Sequence, residues 1–113
     1  EVTMSTCQKL TPGQNTYAGK QGFSYFEGLA AETVGSRAIC MHLLTIPPGG
    51  RARAHKHATH ETAIYMLEGT SVMYWGPRLE NRMEASAGEM IYIPADMPHL
   101  PFNPGDVPAS AII

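Results

Sequence analysis

At 113 residues the chain has the length of one domain with a useful core, and it leaves no room for a second. A net charge of −2 with 16% charged residues excludes a basic surface for nucleic acid or anionic lipid, and no apolar run reaches the roughly 18 residues of a membrane helix. Eleven Gly and nine Pro suit many short strands joined by tight turns, so a single all-β domain over 1–113 is expected before any motif is considered.

No charged-then-apolar leader is visible, although the chain opens on Glu1 rather than Met and a trimmed leader stays open. Residues 1–14 have little periodicity and carry the turn signal Thr11-Pro12-Gly13, which reads as an arm or edge strand. Cys7 and Cys40 are too few for a disulfide framework; two reduced thiols in a cytoplasmic protein are expected. Residues 17–29 are aromatic-rich, with Tyr17, Phe23, Tyr25 and Phe26 broken by glycines. Short edge strands making core or dimer contacts fit this pattern better than a lid, because aromatic side chains bury large area wherever they can.

Residues 37–46 alternate weakly and stop at Pro47-Pro48-Gly49-Gly50, which predicts a strand leading into the stretch of greatest chemical interest. His42 lies on that strand and reads as a core or surface side chain rather than a ligand. Then comes Arg51-Ala52-Arg53-Ala54-His55-Lys56-His57-Ala58-Thr59-His60-Glu61, with three of the five histidines and a carboxylate within seven residues. On a strand, His55 and His57 would point the same way about 7 Å apart, a spacing that lets two imidazoles close on one cation. Neutral imidazole suits iron, nickel, copper and zinc, and a carboxylate adds a hard ligand. A His-x-His pair alone is weak evidence, since solvated histidines on an exposed strand look the same.

Residues 62–67 read as a strand ending in a turn at Gly69, and Ser71 to Trp75 continue the meander with Tyr74 and Trp75 on opposite faces. Residues 76–84 are polar and read as a solvated hairpin loop, followed by a short strand over 83–87. Met90-Ile91-Tyr92-Ile93 form a buried strand stopped by Pro94. Met41, Met66, Met73 and Met90 fall in predicted strands as core filler, not ligands. Asn103-Pro104-Gly105 make a turn, and the apolar end over 109–113 reads as a strand cut short.

Two stretches together resemble the paired signatures of the cupin superfamily. Gly49, His55, His57 and Gly69 match the first, and Gly88, Pro94, His99 and Asn103 match the second, in the right order and with the right gap. The resemblance spans roughly 38–103, with motif 1 at 49–69 and motif 2 at 88–103. Asp96 stands where the family has a Gly; a positive φ is expected there, which Asp tolerates better than most residues. The strict position of the first motif's Glu is Thr62, so Glu61 fits only if a bulge absorbs one residue before Gly69. Strict alternation through Thr62, Ile64 and Met66 would instead turn His60 inward and Glu61 away.

The resemblance implies a small antiparallel jelly-roll β-barrel with histidines projecting inward, and pairing into a homodimer through edge strands. It also implies a divalent transition metal (Fe, Ni, Mn, Cu or Zn). Three ligand sets stay open: His55, His57, Glu61 and His99; His55, His57 and His99 alone; or a set in which His60 joins or replaces a neighbour. The first is favoured narrowly. Arg51 and Arg53 share the parity of His55 and His57, so they would face the barrel mouth and clamp a substrate carboxylate, unless they are simply solvated at a turn. Tyr65 is a further candidate for substrate contact. Tyr65, Tyr92, or whichever of Glu61 and His60 is not coordinated is a candidate acid or base, and none is singled out as catalytic. The expected function is a metal-dependent enzyme on a small oxygenated, possibly anionic substrate: a dioxygenase, or a sugar-acid isomerase or lyase. The alternative is a small-molecule binding or sensing module whose metal is structural or absent.

Overall fold

The computed structural model describes residues 6–12, 16–18, 24–51, 54 and 56–113. Among them the chain forms β1 (Thr16–Ala18), β2 (Ser24–Leu29), a one-turn helix α1 (Ala31–Val34), β3 (Met41–Ile46), β4 (Thr62–Glu68), β5 (Thr70–Trp75), β6 (Asn81–Ser86), β7 (Met90–Ile93), β8 (His99–Phe102) and β9 (Ala109–Ile112). Every strand pairing is antiparallel, as expected for an all-β domain. The strands form two sheets, ordered β1-β2-β3-β9-β4-β7 and β6-β5-β8, and not one closed barrel. The expected barrel is therefore a two-sheet sandwich, in which the Gly69 turn (φ 75°) carries the chain from β4 in the larger sheet to β5 in the smaller.

The core lies where alternating side chains of both sheets meet. Ile46, Met66, Ile91, Ile93, Ala109 and Ala111 from the larger sheet pack on Met73 and Ala85 from the smaller, with Trp75 and Ile64 against them. Small residues at 109 and 111 suit the position of β9, which sits centrally between β3 and β4 and lets the two sheets approach. Tyr74 is exposed and Trp75 packs on the core, the opposite-face arrangement expected. Cys7 and Cys40 are free and exposed. No described helix is long and apolar enough to cross a membrane.

Three expectations are corrected. The strand expected over 83–87 is β6 and starts earlier, at Asn81, so residues 81 and 82 are not loop: Arg82 and Glu84 pair with each other at 3.4 Å on the exposed face while Met83 and Ala85 turn inward. Met66 and Met73 are core, but Met41 and Met90 are 49% and 79% exposed, because period two sends alternate strand positions outward. The described residues between Arg51 and β4 are in no strand: Arg51 makes one isolated bridge to Phe102, and His57 and His60 lie in irregular chain. Polar and charged residues there offer no apolar alternation to hold a ladder.

The two motif-2 expectations are met. Asp96 has φ 62°. Asn103 is fully buried, and its amide closes the turn: Nδ2 donates to the Ile46 and Val107 carbonyls at 2.9 and 2.8 Å, and Oδ1 accepts from the Gly105 N–H at 2.9 Å.

Candidate metal centre

His99 opens β8 on the inward face, paired with Trp75 on β5, and is only 4% exposed. Its Nδ1 lies 2.9 Å from the Met97 carbonyl oxygen. A carbonyl only accepts, so Nδ1 carries the proton and Nε2 is the nitrogen with the lone pair, the tautomer a metal ligand needs. The His57 ring stands 5.5 Å from that of His99, tilted by 42°. With metal–nitrogen bonds of about 2.1 Å, two imidazoles on one ion bring their centroids to roughly 5 Å, and the separation of this pair is close to that value.

His60 stacks on His57. Its ring lies 4.6 Å from that of His57 at 28° between planes. A face-to-face contact buttresses a ring and does not aim two lone pairs at one point, so His60 supports His57 in this arrangement. Thr62, at the strict Glu position, is half-buried at the start of β4 on the inward parity of Ile64 and Met66.

Glu61 goes the other way. Its carboxylate accepts a hydrogen bond from the Tyr92 hydroxyl on the outer face of the β4–β7 pair, and the bond raises the Tyr92 pKa above its ordinary value, with desolvation adding to it. The narrowly favoured ligand set thus finds its carboxylate engaged outside the histidine group, and the strict alternation of β4 is the reason. Tyr65 shares that outward parity and is 39% exposed, between Met90 and Ile112. Arg51 is bridged to Phe102, whose side chain lies opposite in parity to His99; it lines a groove with Tyr74, Leu79, Leu100 and Phe102 on the far face of the smaller sheet. The expectation that Arg51 faces the histidines is corrected accordingly. His55 and Arg53 lie outside the described residues. His42 is placed by two backbone bonds with Ile113, at 2.7 and 2.9 Å.

Among the described residues, then, the structure brings together His57, His60 and His99, and no three His, Cys, Asp or Glu side chains stand ready to hold one ion. The donor chemistry, two neighbouring imidazoles with one tautomer fixed, is of the kind a divalent transition metal takes.

Comparison with known proteins agrees with this architecture. A family model described as a cupin domain matches residues 42–113. An uncharacterized protein of Methanocaldococcus jannaschii is 41% identical over 64 residues, covering 56% of this chain and 48% of that protein. The chain therefore spans about half the length of the curated relative it matches. Among solved structures, Drosophila melanogaster CENP-C bound to CAL1 superposes with a TM-score of 0.74 at 13% identity, covering 93% of this chain and 82% of the other. A predicted oxalate decarboxylase from Thermotoga maritima gives 0.71 at 19% identity, over 99% and 95%. At these identities the likeness is one of fold.

Proposed function

This chain belongs to the cupin domain family, and from that premise we propose that it is a metal-dependent enzyme in which His55, His57 and His99 hold a divalent transition metal. The observation that carries the reading is the buried His99, whose Nδ1 is committed to the Met97 carbonyl so that Nε2 is the ligating nitrogen, 5.5 Å from the His57 ring centroid by centroid. A metal bound there supplies a Lewis acid with open positions for a small chelating substrate. The chain's own residues do the rest: Met97 fixes the His99 tautomer, His60 restrains the His57 ring, and Thr62 keeps the inward position free of a fourth, charged ligand. A three-imidazole set without a carboxylate favours a dioxygenase on a diketone, thiol or phenolic compound over a sugar-acid isomerase or lyase.

The test is elemental analysis of protein purified without an affinity tag, comparing the wild type with His55→Ala, His57→Ala and His99→Ala. Near-stoichiometric iron, nickel, manganese, copper or zinc in the wild type, lost in each variant, is the expected result. Wild-type protein that carries no metal and takes none up on reconstitution overturns it. A second reading, a small-molecule binding module, is favoured by the outward commitment of Glu61 to Tyr92. It predicts that failure together with ligand binding that a chelator leaves untouched.

A further inference from the structure

The turn between β7 and β8, residues 94–98, contacts both histidines of the proposed site, His99 at its ring and His57 at its backbone. Met97 accepts from His99 Nδ1. One residue earlier, the Asp96 N–H donates to the His57 carbonyl at 2.7 Å, and the Asp96 carboxylate meets Lys56 Nζ at 3.1 Å. His57 needs such support because the described residues around it belong to no strand, so no ladder holds them in register. The backbone N–H reaches the His57 carbonyl from a residue at φ 62°, a conformation Gly would adopt more readily than Asp. A Gly there would keep that hydrogen bond but would have nothing to offer Lys56. The departure from Gly at this position thus adds a second point of attachment to the histidine stretch.

We propose that Asp96 is a positioning residue: through its N–H on His57 and its carboxylate on Lys56 it holds the His57 ring against His99, and so tunes metal affinity without touching the metal. This rests on the metal reading above. The ion pair is exposed, at 55% and 63% for the two side chains, so its effect is modest and screened by salt.

The experiment titrates the full chain with zinc ion against a chromogenic chelator, in the wild type, Asp96→Gly, Asp96→Asn, Lys56→Ala and the double variant Asp96→Gly/Lys56→Ala. At low salt each single variant is expected to bind zinc about two- to five-fold more weakly, the range an exposed pair commands. The double variant should be no weaker than either single one, because both remove the same contact. About 1 M salt should bring the wild type down to the variants while leaving them unchanged. In the metal-free protein, the imidazole resonances of His57 should shift in Asp96→Gly and Lys56→Ala while those of His99 hold, a signature that general destabilisation would not give. Zinc affinity and His57 resonances that stay at wild-type values in all variants overturn the assignment. A wild type that takes up no zinc overturns the metal reading instead, and the His57 resonances then decide the grip of Asp96 by themselves.

Discussion

The hydroxyl of Tyr92 donates to the carboxylate of Glu61 on the outer face of the β4–β7 pair, where Ala63, two residues after Glu61, lies opposite Tyr92. A carboxylate so held is on the wrong side of its sheet to join His57 and His99. Glu61→Gln and Tyr92→Phe are therefore expected to leave metal content and affinity within about two-fold of the wild type, whereas His99→Ala abolishes binding. Isothermal titration of the metal-free protein checks this, and a ten-fold loss in Glu61→Gln would restore the carboxylate to the ligand set.

The same bond sets a pH dependence. A neighbouring carboxylate that accepts from the phenol favours the protonated form, so Tyr92 in the folded chain ionises above the ordinary value of 10.0. The folded pKa is the raised one, so the contribution of this bond to stability is fully present below pH 10 and is lost as the pH climbs through the folded value. Of the five tyrosines, Tyr92 should thus be among the late ones in an alkaline titration followed by tyrosinate absorbance. Tyr92→Phe should remove a late phenol, and Glu61→Gln should bring that phenol back toward the ordinary range. Loss of an ordinary phenol in Tyr92→Phe is the outcome that contradicts the assignment.

Asn103 makes three hydrogen bonds with no access to water, and they stitch the end of β8 to β3 and to the approach to β9. The two carbonyls require donors and the Gly105 N–H requires an acceptor, so the amide fits in one orientation alone. Asn103→Ala leaves the buried Ile46 carbonyl without this donor and removes the bonds to Val107 and Gly105, and is expected to cost about 2–4 kcal/mol. Asn103→Asp should be at least as costly at neutral pH, since a carboxylate oxygen would face two carbonyl oxygens. Chemical denaturation with unchanged m-values is the measurement.

How far the chain was legible from its residues depends on which physical signal each part carries. Strands β4 and β5 are legible from their β-patterned residues and β7 from an apolar run stopped by Pro94, though only Ile91 and Ile93 of that run are buried and Met90 and Tyr92 face outward; the motif spacing anticipates both the Asp96 conformation and the structural turn at Asn103. Strand β6 was legible from Met83 onward through its apolar pair, Met83 and Ala85, but its start at Asn81 and Arg82 was not, because those polar and charged residues are indistinguishable from the loop before them. The helix α1 escaped because four residues show no period, though Gly35 at φ 73° is the C-terminal signal that marks it. At the site, His99 was readable as a buried ligand candidate. The supporting contacts were not: the Met97 carbonyl and the Asp96 N–H are backbone groups, which no sequence pattern advertises. The facing of Arg51 failed for another reason, since its parity was counted along a strand that ends at a single bridge.

Gly69 and Gly49 share nearly the same backbone conformation, at φ 75° and 74°, yet their surroundings differ, and the difference separates two costs. A Cβ at Gly49 would meet nothing within 4 Å, so Gly49→Ala carries only the conformational penalty of the left-handed region, about 1–2 kcal/mol. A Cβ at Gly69 would lie 2.5 Å from the Pro108 carbonyl oxygen and 2.8 Å from the Ala109 Cα, both backbone atoms. Those atoms lead into β9, the central strand of the larger sheet, and cannot retreat without loosening its ladders to β3 and β4. Overpacking of that kind adds about 1–3 kcal/mol. Gly69→Ala is therefore expected to be the less stable variant by that margin, with amide exchange in β9 accelerated beyond that of β5, whereas Gly49→Ala should leave β9 protection unchanged. Equal destabilisation of the two variants would mean that the turn at Gly69 relaxes around a methyl group and that β9 is not pinned against it.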